Sequence, residues 1–189
     1  MDRDSIVTLP HASLRKKSQK VRLFDEHLQQ LTDSMEQATL DWEDNRKHEL
    51  GVALAAPQVD RHLRVVIVRS DFDNKDDRSF VIFVNPKIIR LEGKEVEDYE
   101  GCLSVPDLYG KVMRRERVKI KAQDLTGREF RLSADGFLAR VIQHEIDHTN
   151  GKLFIDYIKD KTDAFYRLND DGKLESINYD TLDTASFLW

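Results

Sequence analysis

His144-Glu145-Ile146-Asp147-His148 and the chain's only cysteine, Cys102, carry the most chemistry in this sequence. Histidines four residues apart stand on one face of a helix, so both imidazoles can close on a single metal ion. Glu145 between them is near enough to exchange a proton with water activated by that metal. Three fixed residues in five arise by chance in unrelated proteins, so the helix pattern alone is only moderately specific. Cys102, within Glu100-Gly101-Cys102-Leu103-Ser104, changes the odds. A thiolate and two imidazoles make three protein ligands, and a catalytic metal site keeps its fourth position open. Attack of water on a carbonyl also needs donors for the oxyanion that forms. The backbone N–H of Leu103 and the side-chain amide of Gln58 are candidates. Gln58 closes the segment Gly51-Val52-Ala53-Leu54-Ala55-Ala56-Pro57-Gln58. Its small residues would let backbone approach a substrate, and they read equally well as a tightly packed turn.

The elements that must position these groups are legible in outline. Phe24, Leu28, Leu31, Met35, Ala38 and Trp42 follow the 3–4 spacing of an amphipathic helix over 24–43. A polar loop from Glu43 to Glu49 follows. Val-, Ile- and Phe-rich runs predict strands over His62–Arg69, Phe80–Val84, Lys87–Leu91, Arg117–Ala122 and Glu129–Leu132. The acidic run from Asp71 to Asp77 lacks the glycine and the terminal glutamate of a calcium loop and reads as a solvated turn. Strands preceding one late helix, without regular βαβ alternation, predict an α+β fold. In that helix Phe137, Val141, His144 and His148 continue one apolar stripe facing the core. Ser133 or Asp135 can cap its start, and Asn150-Gly151 ends it.

At 189 residues the chain suits one domain with a core of its own. A net charge of -5 and a pI near 5.7 argue against nucleic acid or an anionic membrane as main partner. A single cysteine fits a reducing compartment, and the absence of a signal-length apolar stretch makes the cytoplasm the expected location.

Gly51–Gln58, Glu100–Ser104 and His144–His148 resemble, in order, the three motifs of peptide deformylase. The likeness extends to Pro10, Leu14 and Arg15, to Arg117–Asp124 and to Ala134–Gln143, and spans about residues 5–160. It implies small mixed or antiparallel sheets around a central metal-binding helix. It also implies removal of the N-formyl group from formyl-methionyl peptides or nascent chains, with the ribosome as a conceivable partner. Cys102, His144 and His148 would bind one divalent metal, Glu145 would act as acid and base, and Gln58 with the Leu103 amide would hold the formyl oxygen. The resemblance favours Fe²⁺ in the cell, while Zn²⁺, Ni²⁺ or Co²⁺ also suit these donors. Gly51, Val52, Ala53 and Gly101 are expected along the substrate. Val52, Phe137 and Val141 are candidates for a methionine pocket, with an equal prospect of being core. An arginine at position 114 is expected to pair with Glu100, and Asp147 to orient a ligand.

The family usually has glycine at the position of Ala53, so a binding protein that has lost activity is one rival reading. A zincin-type peptidase is another, and it would need Asp156, Asp160 or Glu175 as third ligand. His11, His27, His48 and His62 are read as surface residues. The division expected is a catalytic domain over 1–160 and an extension over 161–189. Within the extension, Leu168 to Leu174 reads as a hairpin tip. The apolar end Phe187-Leu188-Trp189 is expected to pack on the domain or to meet a partner.

Overall fold

The amphipathic stretch forms α1, Glu26–Asp44, in a computed structural model that describes residues 1–187. It begins two residues later than the apolar spacing suggests because Asp25 caps it, its carboxylate accepting from the N–H groups of His27 and Leu28. Leu28, Met35 and Ala38 face inward and are buried, and each large apolar side chain so buried contributes about 1.5–3 kcal/mol. Glu43, at the boundary between the expected helix and the polar loop, lies within the helix and turns to Arg69, 2.5 Å away.

The segment after the loop is a short strand, β1 (Ala53–Ala55), closed by a 3-10 turn over Ala56–Val59. β1 pairs with β2 (Val65–Arg69), which starts three residues later than predicted. A buried ion pair holds this region to α1. Arg69 is fully buried and donates to Glu43, to the carbonyl of Gly51 and to the carbonyls of Lys75 and Asp77. Glu43 in turn accepts from the Gly51 N–H at 2.9 Å. A Cβ at Gly51 would stand 2.7 Å from the Thr39 side chain, so only glycine lets the segment lie this close to the helix.

The largest departure from the sequence reading lies in the middle of the chain. The strands expected at Phe80–Val84 and Lys87–Leu91 are one strand, β3 (Phe80–Cys102). Arg117–Ala122 is the last part of β4 (Val105–Gln123). Charged residues are scattered through the added length, so it lacks the apolar runs that mark a strand. The two form a long antiparallel hairpin whose register shifts at four places, which bends it. Cys102 pairs with Val105 at its tip, so Leu103 and Ser104 are the turn.

β5 (Glu129–Asp135) pairs with the far half of β4 and feeds α2 (Gly136–Thr149). Asp135 occupies the helix N-cap without making the expected side-chain bond, and Ser133 stays within β5. Asn150 caps the other end. Val141, His144 and His148 of the expected stripe are buried, but Phe137 in the first turn is exposed, and burial from Ala139 to Ile146 runs round the whole helix rather than along one face. After α2 comes the expected hairpin, β6 (Phe165–Leu168) and β7 (Leu174–Ser176), with β6 paired to the tip half of β4. All strand pairings are antiparallel, and β4 links them into one network around α2, an α+β architecture. Phe187 is buried against Leu14, Leu153 and Phe165; Leu188 and Trp189 lie outside the described residues. No helix among the described residues is long and apolar enough to cross a membrane.

Candidate active site

The hairpin tip and α2 bring Cys102, His144 and His148 together from opposite sides. Their ligand atoms all lie within 4.8 Å of one another. His148 Nε2 is 3.2 Å from His144 Nε2 and 3.3 Å from Cys102 Sγ. Bonds of about 2.0–2.1 Å to nitrogen and 2.3 Å to sulfur at tetrahedral angles would separate such atoms by roughly 3.3–3.6 Å. The donor set therefore fits one metal ion with little adjustment. Electrostatics agree. Burial pushes His148 well below its ordinary pKa, and the neighbouring His144 adds to this. For His144, hydrogen bonding to Cys102 and Glu100 outweighs the cost of burial and raises the pKa. The lowered pKa keeps His148 neutral, the form in which an imidazole nitrogen binds a metal ion.

Glu100 organises the site from behind. Its Oε2 is 2.9 Å from His144 Nδ1, which leaves His144 Nε2 directed at the cluster. Burial disfavours the Glu100 carboxylate, but hydrogen bonds from His144 and Arg114 outweigh it and hold its pKa far below the usual range. The expected partner, Arg114, donates to both Glu100 oxygens at 2.8 and 3.0 Å and to Asp147 at 2.6 Å. Asp147 thus touches the site through Arg114. A second arginine, Arg140, was not singled out in the sequence, where it reads as an interruption of an apolar helix face. It donates to Glu100 at 2.8 Å and to the carbonyls of Val96 and Val112.

Arg114→Met should leave the buried Glu100 and the half-buried Asp147 with one counter-charge fewer. Removing one partner of a buried pair costs about 3–5 kcal/mol, and because Arg140 still faces Glu100 the expected loss is at the lower end. Urea unfolding reads this directly. An unchanged midpoint would mean that the pair contributes nothing in solution.

Glu145 is buried beside the cluster, and its Oε2 has no hydrogen-bond partner in the protein. Burial pushes its carboxyl up to about 7, against the opposing pull of His144. Gln58 is held with its carbonyl accepting from the Ala55 N–H at 2.8 Å. Its amide nitrogen faces Ser104 Oγ at 3.2 Å and Cys102 Sγ at 3.6 Å.

These residues open onto one cavity of about 300 Å³. Val52, Ala53, Gly101, Leu103, Phe137 and Val141 line it with Cys102, His144, Glu145 and Gln58. Gly51 does not; it packs against α1. His48, read as a plain surface residue, borders the cavity, as do Trp42, Tyr99 and Tyr109, which the sequence did not single out. Asp156, a third ligand in the zincin reading, pairs with Arg15 at 2.8 Å and is absent from the ligand group, as are Asp160 and Glu175.

The sequence model of the polypeptide deformylase family matches residues 3–164. This chain belongs to that family. The peptide deformylase of Chromobacterium violaceum is 43% identical over 152 residues, 80% of this chain and 84% of that protein. A peptide deformylase structure from Legionella pneumophila superposes with a TM-score of 0.70 at 43% identity, covering 80% of this chain and 83% of that one. One from Synechococcus elongatus, in complex with actinonin, gives 0.71 at 37% identity, covering 80% and 76%. Deformylases are enzymes that remove N-formyl groups from nascent peptides, and they are metalloenzymes. The zincin reading and the reading as an inactive binding protein are set aside accordingly.

Ala53, the departure from the family pattern, sits in extended backbone opposite Val68, with its methyl in the core. No left-handed conformation is needed there. Ala53→Gly should lower stability by about 0.5–1 kcal/mol and leave the KM for a formyl-Met tripeptide equal or lower. A large loss of turnover would show that the Ala53 methyl has a role the family pattern does not contain.

Proposed function

We propose that this chain hydrolyses the formamide bond of formyl-methionyl peptides, using a divalent ion held by Cys102, His144 and His148. The observation that carries the reading is the buried Glu145 carboxyl, its Oε2 without a partner, lining the same cavity as Cys102, His144 and Gln58, with His148 Nε2 directly behind at 3.3 Å from Cys102 Sγ. The ion, when bound, lowers the pKa of water and polarises the formyl carbonyl.

The chain's own residues do the rest. Glu145 accepts the proton of the attacking water as the new C–O bond forms. Gln58 Nε2 and the Leu103 N–H donate to the oxygen that gains charge in the tetrahedral intermediate. When the C–N bond breaks, Glu145 returns the proton to the departing amine, giving formate and a free methionine amino group. Val52, Phe137 and Val141 form the apolar wall against which an unbranched methionine side chain packs, and Ala53 and Gly101 border the path of the peptide backbone, the Tyr109 ring filling the space that a side chain at Gly101 would take. Glu100, fixed by Arg114 and Arg140, keeps His144 in the tautomer a ligand needs.

The thiolate and imidazole donors suit Fe²⁺, Zn²⁺, Co²⁺ or Ni²⁺, and the family resemblance favours Fe²⁺ as the ion in the cell. The test is metal analysis of anaerobically purified protein together with formate release from formyl-Met-Ala-Ala. One metal per chain and chelator-sensitive turnover are expected. Metal-replete protein that releases no formate would overturn the assignment.

A further inference from the structure

The cavity is lined by more residues than the methionine wall uses. Phe137 and Val141 reach it from α2, the helix that carries Glu145, whereas Trp42, His48, Leu50 and Leu174 reach it from α1, the loop after α1 and β7. Leu174 is the only lining residue that comes from beyond residue 164, where the family match stops. It is the first residue of β7, and its hairpin is firmly seated. Tyr166 pairs with Tyr109 and Phe165 with Gly110 on β4. The Tyr166 ring meets Tyr99 edge-on at 4.9 Å, and Lys111 Nζ lies 5.3 Å from the centre of both rings. The hairpin tip also touches the loop after α1. Gly172, at φ 76°, lies so close to His48 that a Cβ there would be 2.9 Å from the imidazole. The residues around His48 are themselves bolted to β4. Arg46 pairs with Asp107 at 2.8 Å, and Tyr109 donates to Glu49 at 2.6 Å.

We propose that the β6–β7 hairpin is the outer wall of the substrate cleft, and that Leu174, with Trp42, His48 and Leu50, selects an apolar side chain just after the methionine. The inference rests on the deformylase reading. An extended peptide advances about 3.3 Å per residue, so the one or two residues after the methionine extend along the cavity past its wall. The chemistry there favours apolar occupants. Arg46, Glu49 and Asp107 satisfy one another and Tyr109, which leaves Trp42, Leu50 and Leu174 as the accessible surface. A charged side chain entering there would lose water without gaining a partner.

The test compares kcat/KM for formyl-Met-Leu-Ala against formyl-Met-Asp-Ala, and for formyl-Met-Ala-Leu against formyl-Met-Ala-Asp. The wild-type chain should prefer leucine at one of the two positions. At that position Leu174→Lys should shift the leucine-to-aspartate ratio about fivefold toward aspartate, the scale of a partly exposed charge pair. Leu174→Glu and His48→Glu should shift it the other way. Ratios taken on one enzyme stock cancel any inactive fraction, and His48→Glu alters an exposed residue that folding does not depend on. Ratios unchanged within twofold in all three variants, or equal turnover of leucine and aspartate substrates by the wild-type chain, overturn this inference alone. No formate release from any of the four peptides overturns the deformylase reading instead.

Discussion

Glu145→Gln should lower kcat by about 10²–10⁴-fold while the protein keeps its metal, because the amide has the carboxylate's shape but cannot accept a proton. The surroundings sharpen the expectation. Glu145 is buried, and the two acids nearest it, Glu100 and Asp147, are both paired with Arg114, so neither stands ready to substitute for it. None of the three metal donors changes, so metal content should match wild type and the effect should fall on kcat more than on KM. Stability should move the opposite way. A carboxyl whose pKa burial has pushed up to about 7 opposes folding at any pH where it must ionise. The neutral amide removes that penalty, so metal-free Glu145→Gln should melt at a higher temperature than metal-free wild type above pH 7. Activity within tenfold of wild type in the metal-replete variant would remove Glu145 as the base.

The sequence made the cluster legible because its chemistry is carried by residue types that are scarce elsewhere in the chain. There is one cysteine, and the only histidine pair at helical spacing lies on an apolar stripe. That stripe also placed Val141, His144 and His148 in the interior, though not Phe137, which is exposed, nor the burial of Arg140 and Gln143 beside it. The long hairpin was not legible. From Glu92 to Glu100 the strand is mostly exposed and rich in charge, so neither alternation nor β-branched runs mark it. What holds those residues extended is pairing with β4, a long-range effect that local propensity does not contain. Arg140 and Arg69 escaped for a related reason. Each is a charge within an apolar run, and its meaning depends on partners, Glu100 and Glu43, that are 40 and 26 residues away in sequence. His48 and Leu174 become neighbours of the cavity only once β6 has docked on β4.

Cys102→Ala should cost the protein its metal. Two imidazoles from one helix remain, and Cys102 is the only donor in the group from the other side of the site. Losing even a partner that merely orients a ligand costs about 10–100-fold in affinity, and losing a ligand outright should cost more. Dialysed protein should therefore contain metal well below one equivalent and release no formate above background. The fold itself need not fail, since the surrounding core of Val105, Leu108, Phe154 and Ile155 is untouched. Circular dichroism should report native structure, which separates metal loss from unfolding. Cys102→Asp offers the complementary reading. A carboxylate is a harder donor than a thiolate, so this variant should regain a metal but shift its preference away from Zn²⁺ and toward harder ions, with altered turnover. An alanine variant that binds one metal as tightly as wild type would show that the thiolate is not a ligand. The Sγ–Nε2 distance of 3.3 Å would then reflect a hydrogen bond between Cys102 and His148 alone.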